Sequence, residues 1–293
     1  MIMPSQTTLI PVAEHLSLHT HISTTEKPNE RPALLLLHFW GGSYQTYNSV
    51  IDRLQDDFNL IAPSLRGWGD SSRPGDDDAY TTRDYADDIV HLINSLHSSQ
   101  PGFFTNGLVV IGHSMGGKIA QLLLASGDVP QDLIRVLVLL APAPVRSFRL
   151  PEDMRKQQIH AYGSEPSASF VIENVLLGKP SNITAALRSE MASTACSGSL
   201  GARMAWPEYG MSEEYEDFVL AAIHGRKERQ ALRMLVLVGE LDRVETPENV
   251  RKNVAEPMMH VGVDVSIEVL EGVGHLLPVE APDAVAEAIR KMS

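Results

Sequence analysis

A serine set between glycines where a strand meets a helix is the first place in this chain at which chemistry is legible. Gly112-His113-Ser114-Met115-Gly116 follows a compact apolar run over residues 107–111, and a helix continues over 118–125. A strand-to-helix turn this tight needs glycines beside its central residue, so that the backbone can take a strained geometry and pack closely behind it. The Ser114 hydroxyl is then held out at the strand tip and at the positive end of a helix, where developing negative charge is favoured. Such a serine attacks a carbonyl carbon once a base takes its proton and a carboxylate holds that base in the right tautomer.

Both partners are offered late in the chain. Residues 232–238 read as a buried strand ending in Gly239-Glu240-Leu241-Asp242, and residues 265–270 as an alternating strand followed by Glu271-Gly272-Val273-Gly274-His275. Asp242 and His275 therefore sit just past strand C-termini, as Ser114 does. In a parallel sheet those ends share one edge, so residues far apart in sequence can converge there. The order Ser114, Asp242, His275 suits that arrangement. Of eleven histidines, His275 is set apart by its Gly-Val-Gly approach and by the Leu276-Leu277-Pro278 after it. Glu240 and Glu245 are the nearby rivals of Asp242 as the acid, and Glu268, inside a strand, is a weaker one. The tetrahedral intermediate needs two backbone N–H groups. One belongs to Met115, and the other to the loop His38-Phe39-Trp40-Gly41-Gly42-Ser43 that leaves the apolar strand at 33–37, with Ser43 or Tyr44 opening the next helix. His38 and His113 lack a matching cluster of spaced acids and read as structural histidines. The chemistry calls for no metal and no cofactor.

Taken together, these residues resemble the α/β-hydrolase superfamily over nearly the whole chain. The resemblance is carried by residues 38–43 for the usual His-Gly-x-x-Gly loop, 112–116 for the nucleophile turn, 239–242 for the acid turn and Gly274-His275 for the base. Residues 62–71, with Arg66-Gly67-Trp68-Gly69-Asp70-Ser71, look like the family's turn after the fourth strand. By position in this family, Trp40 is the second oxyanion donor. Two departures stand out: Phe39 replaces the customary glycine, and Ser64 replaces the usual acidic residue before the Arg-Gly turn. The fold implied is a mostly parallel sheet with helices on both faces and an inserted helical cap.

The coarse pattern agrees. A hairpin is expected over 9–21, strands over 34–37, 59–62 and 134–140, and helices over 43–54 and 82–96, the last with Tyr85, Ile89, Leu92 and Leu96 at helical spacing. Alternating strands and helices imply a parallel sheet covered on both faces. After Ala141 the pattern changes to helices only, expected over 152–162, 168–177, 183–193 and 213–224. This divides the chain into a core of residues 1–141 and 230–293 and a cap of residues 142–229. Met191, Met204, Trp206, Tyr209, Met211 and Phe218 are candidates for lining the space beneath that cap.

Composition bounds the partners. At 293 residues and 43% hydrophobic content the chain suits one α/β domain with an inserted lobe. A net charge of −13 argues against nucleic acid or an anionic membrane, because either needs clustered Lys and Arg. A single cysteine, Cys196, leaves no internal disulfide and fits a reducing, cytoplasmic setting. The first six residues lack the basic and apolar regions of a signal peptide. No apolar run approaches the ~20 residues of a membrane span.

The activity this implies is cleavage of a carboxylic ester or lactone of a small, largely apolar molecule by a monomer or homodimer. Carbon–carbon bond hydrolases and cofactor-free haloperoxidases share the same triad. Haloalkane dehalogenases and epoxide hydrolases of similar sequence place Asp, not Ser, at the turn. A small-molecule receptor of the same fold is the reading of a different class. Receptors that have lost the triad lack its serine or histidine, and here Ser114, Asp242 and His275 all stand.

Overall fold

The computed structural model describes residues 5–26, 31–75, 79–130, 132–226 and 231–293. The readings of residues 1–4 and of the core–cap boundary at 229–230 lie outside them. Eight strands, β1 (Gln6–Ala13), β2 (Leu16–Ser23), β3 (Ala33–Leu37), β4 (Leu60–Pro63), β5 (Leu108–His113), β6 (Ile134–Leu140), β7 (Arg233–Gly239) and β8 (Asp264–Leu270), form one sheet. Their order is β1-β2-β4-β3-β5-β6-β7-β8. The β1–β2 hairpin and the β2–β4 pair are antiparallel, and every other pairing is parallel.

Burial on both faces explains the near-continuous apolar runs of the central strands. Along β3, Leu35 and Leu37 join the core under α2 (Thr82–Ser99) and α3 (Met115–Leu123), while Leu34 and Leu36 join the core on the other face. That second face is covered by α1 (Asn48–Leu54) and by α12 (Pro282–Met292), whose Val285 and Ile289 are buried there. Period-two alternation thus serves two cores at once. At the edge, β8 is largely exposed and its residues alternate between exposed and half-buried.

Between β6 and β7 the described chain is helical: α4 (Glu152–Ile159), α5 (Glu165–Val171) running into a π turn at Ile172–Leu176, α6 (Ala185–Ser197), α7 (Leu200–Glu208) and α8 (Glu216–His224). Three short helices, α9 (Pro247–Val250), α10 (Glu256–His260) and α11 (Leu277–Glu280), complete the core. Helix α7 is absent from the sequence pattern because Gly198, Gly201 and Pro207 read as breakers. The glycines are there for close approach: a Cβ at Gly198 would fall 2.4 Å from the Trp68 ring, and one at Gly201 2.4 Å from that of Tyr80. The last insertion helix starts later than its pattern suggests, at Glu216, because Glu213 is used elsewhere. Its carboxylate accepts from Thr82 N–H at 2.9 Å at the start of α2, and its carbonyl accepts from the buried Lys118 Nζ at 2.9 Å.

The turn after β4 is the seat on which the insertion lands. Ser199 N–H donates to Gly67 O at 2.8 Å, and Gly67 (φ 79°) packs against Ala202. Arg66 holds this turn to α2 through a buried bidentate pair, with both contacts to the Asp88 carboxylate at 2.6 Å. Ser64, in the place of the usual acidic residue, accepts from Tyr44 N–H at 3.2 Å, and Gly69 leaves it room, since a Cβ there would lie 2.8 Å from Ser64 Oγ. Removing one partner of a buried pair leaves an uncompensated charge, at a cost of about 3 kcal/mol or more. Asp88→Asn is therefore expected to lower unfolding free energy by about 3 kcal/mol in urea titration. A loss below about 1 kcal/mol, the range of exposed pairs, would show that the turn does not depend on this contact.

Candidate active site

Ser114 is the residue between β5 and α3, and it adopts φ 53°, ψ −115°. A side chain in the left-handed region costs on the order of 1–3 kcal/mol and persists only where the surroundings over-determine it. Here they do. Ser114 N–H donates to Leu140 O at 3.0 Å, and Ser114 O accepts from Ala143 N–H at 3.0 Å, so the tip of β6 grips the turn on both sides. The flanking glycines permit the approach: a Cβ at Gly112 would lie 2.5 Å from Gly116 O, and one at Gly116 2.3 Å from Leu37 O.

Asp242 and His275, at the tips of β7 and β8, meet. His275 Nδ1 donates to Asp242 Oδ2 at 2.8 Å, and both side chains are buried. The other oxygen, Oδ1, accepts from Val244 N–H at 2.8 Å and Glu245 N–H at 3.0 Å. With its Nδ1–H given to Asp242, the neutral His275 ring keeps Nε2 as its acceptor. Among the described residues no hydrogen bond joins Ser114 Oγ to His275. The rival acids lie otherwise. Glu240 accepts from Gly272 N–H at 2.9 Å, Glu268 is on the exposed edge strand, and the Glu245 carboxyl is held well above its usual range by burial and then by Asp242.

The other two histidines serve the backbone. His38 Nδ1 donates to Phe39 O at 2.8 Å and its Nε2 accepts from Leu65 N–H at 2.9 Å, so the neutral ring is satisfied at both nitrogens. Burial pushes its pKa down to about 4. His113 Nε2 donates to His275 O at 2.7 Å, which makes the residue before the serine a prop for the histidine loop. Burial, then the adjacent His275, takes its pKa well below the usual value.

The backbone N–H groups of Trp40 and Met115 have no hydrogen-bond partner among the described residues. Trp40 is fixed on several sides: Nε1 donates to Ala202 O and Arg203 O at 3.3 and 3.2 Å, its carbonyl accepts from the Tyr162 hydroxyl at 3.2 Å, and the two rings lie 4.2 Å apart. Phe39 fits in place of the customary glycine because the loop's left-handed residue is Gly41 (φ 96°). Its buried ring packs 5.1 Å from that of His113. Tyr162 carried no motif in the sequence; its partner is a carbonyl 122 residues away.

At the seam between this loop and α6 lies a cavity of about 30 Å³, lined in part by Phe39, Gly41, Leu187, Met191 and Val279. That is room for water, not for an organic substrate. Trp206 is buried, and Met204, Tyr209 and Met211 are half-buried. Phe218, a lining candidate by sequence, lies 47% exposed on the surface beneath the Arg83 guanidinium.

The family model described as the alpha/beta hydrolase family matches residues 34–288. The chain belongs to that family. A soluble epoxide hydrolase of Corynebacterium sp. (strain C12) is 32% identical over 138 residues, 45% of this chain and 44% of that protein. The chain thus spans less than half the length of that curated relative. Among solved alpha/beta hydrolase structures, an esterase from Exiguobacterium antarcticum superposes with a TM-score of 0.78 at 19% identity over 98% of both chains. A bromoperoxidase from Bacillus anthracis gives 0.77 at 12% identity over 98% of this chain and 99% of that one. At such identities the likeness speaks for the fold alone. No described helix is long and apolar enough to cross a membrane.

The buried neutral histidines set an acid limit to stability. His38 has a folded pKa of about 4 against 6.5 unfolded, so between those values the unfolded chain binds the extra proton. Stability must fall as pH drops from 6.5 to 4, by about 3 kcal/mol from His38 alone. Urea unfolding measured at steps across that window checks this. Comparison with His38→Gln isolates this contribution, and an equal pH dependence in the two proteins would mean that His38 is not held neutral.

Proposed function

We propose that the protein is a serine hydrolase cleaving a carboxylic ester or lactone of a small, largely apolar molecule. The observation that carries this reading is a serine in the strained turn with the Asp242–His275 pair at the neighbouring strand tips. His275 takes the Ser114 proton as Oγ attacks the carbonyl carbon. Asp242 fixes the tautomer that leaves Nε2 free and stabilises the imidazolium. The N–H groups of Trp40 and Met115 receive the oxyanion. Collapse expels the alcohol, protonated by His275, and leaves an acyl-serine. Water, deprotonated by His275, then attacks that ester, and the acid departs as Ser114 regains its proton. In unliganded hydrolases the serine–histidine contact is often long and tightens when substrate seats.

The serine also decides against epoxide opening. A serine oxygen adding to an epoxide carbon would leave a β-hydroxy ether with no carbonyl for water to attack. A carboxylate nucleophile leaves a hydrolysable ester instead. The activity named for the Corynebacterium relative is therefore not carried over to this chain.

In this reading residues 142–229 form a cap on a core of residues 1–141 and 230–293. Ser114, Asp242 and His275 are all buried, so a substrate enters only when the cap shifts, and the seam between α6 and the loop at 39–43 is the place to open. Closure then excludes water from the reacting centre. The partner is the small-molecule substrate itself, taken by a cytoplasmic monomer or homodimer that needs neither metal nor cofactor.

Ser114→Ala is expected to reduce kcat on the best p-nitrophenyl ester by several orders of magnitude with the fold intact. Retention of more than about a tenth of wild-type kcat would remove Ser114 as the nucleophile. A panel that adds lactones and dioxo acids separates ester from carbon–carbon cleavage.

Asp242→Asn preserves shape but leaves His275 in the wrong tautomer, with an expected loss of about 10⁴ in kcat. Glu240→Gln and Glu245→Gln should do far less. An equal loss from either glutamate would assign the acid to it.

A further inference from the structure

The loop that carries His275 is irregular from the end of β8 to the start of α11, so something must hold it. One side chain does much of this work. The Glu280 carboxylate accepts from the N–H groups on both sides of His275: Gly274 lies 3.1 Å from each oxygen, and Leu276 3.1 Å from Oε1. Its Oε2 also accepts, at 2.8 Å, from Gly178 N–H, which belongs to the helical insertion. His275 itself donates its N–H to Leu176 O in the same segment at 2.7 Å. The backbones meet without side chains between them. A Cβ at Gly178 would lie 2.6 Å from Gly274 N, and one at Gly274 would lie 2.2 Å from Gly178 N. A second tie comes from the acid turn, where Arg243 Nη1 donates to Asn174 O at 2.6 Å.

We propose that Glu280 is a positioning residue: its carboxylate clamps the His275 loop to the segment at 176–178, so that His275 is aligned for Ser114 only while that part of the insertion is seated. The inference rests on the reading of His275 as the base. An ordinary capping role at α11 would account for the Leu276 contact. It would not account for Gly274 or Gly178, which lie outside that helix. Charge-assisted hydrogen bonds are the strong kind, and here one carboxylate serves three donors. A displacement of about 1 Å at a reacting group costs on the order of a hundredfold in rate, so a loop held this way has kinetic consequences.

Glu280→Gln tests it. The amide keeps the shape but sets an N–H₂ against backbone N–H donors, which loosens the clamp without emptying the site. Turnover of p-nitrophenyl butyrate is measured per active site, counted by fluorophosphonate titration, together with amide hydrogen exchange at Gly178 and Gly274. The expected result is a fall in kcat per active site of about ten- to a hundredfold with KM nearly unchanged. Exchange at Gly178 should quicken by about tenfold or more, since local opening sets that rate. A role confined to stability would lower the number of titratable sites and leave kcat per site as in the wild type, which overturns the proposal. Unchanged exchange at Gly178 overturns it equally. Glu280→Asp, which shortens the reach by one methylene, should give the same split if the glutamine variant does not fold. Ser114→Ala in parallel separates the two readings. Inactive Ser114→Ala beside a Glu280→Gln of wild-type kcat removes only the clamp, whereas active Ser114→Ala removes the serine-nucleophile reading and, with it, the alignment the clamp is said to serve.

Discussion

The backbone at Ser114 is the constraint around which the rest of the site is arranged. A side-chain-bearing residue at φ 53° is held there only because no neighbour can give way. Gly116 backs directly onto Leu37 O and His38 O, and both hydrogen-bonding groups of Ser114 are taken by the tip and exit of β6. The same close approach sets the turn against the tip of β3, from which the loop carrying Trp40 departs. In the proposed mechanism, the nucleophile and the anion site both depend on that packing contact between two strand tips.

Protonation is organised with equal economy. Three histidines are buried near this edge, and each holds a backbone or side-chain partner. His38 is neutral between a carbonyl and an N–H, His113 is neutral and supports His275 O, and His275 is paired with a carboxylate. Burial keeps the first two uncharged, so they support the loops without competing for protons with the pair. The insertion joins this arrangement at Leu176 and Gly178 on one flank and, on the other, through the Tyr162 side chain and the carbonyls of Ala202 and Arg203, all of which meet Trp40. Under the proposed clamp, a shift of the insertion would pull directly on the His275 loop.

The central sheet was legible because its strands are short, nearly continuous apolar runs. Residues 107–111, 232–238 and 265–270 read as strands, and their tips placed Ser114, Asp242 and His275 as candidates on one edge. The insertion was less legible, for a physical reason. Gly198 and Gly201 look like breakers when their neighbours Trp68 and Tyr80, well over a hundred residues earlier, are unknown. Likewise Glu213, helical by pattern, is drawn out of its helix by Thr82 and Lys118. The supporting residues of the site were invisible for the same cause. Tyr162 and Glu280 act on backbone atoms of distant segments, and a carbonyl or N–H leaves no mark in a sequence. Phe39 and Ser64 looked like departures from a motif. Each is accommodated by a nearby glycine, Gly41 taking the left-handed conformation and Gly69 leaving the Ser64 side chain its space.

The proposed mechanism requires the acyl group to pass through Ser114. Rapid acid quench of the enzyme during turnover of a slowly deacylated p-nitrophenyl ester, followed by peptide mass mapping, observes that intermediate directly. The account predicts an added mass equal to the acyl group on the peptide containing Ser114, formed as fast as the p-nitrophenol burst and lost at the steady-state rate. An unmodified Ser114 peptide throughout turnover, or the acyl mass on another residue, would contradict it.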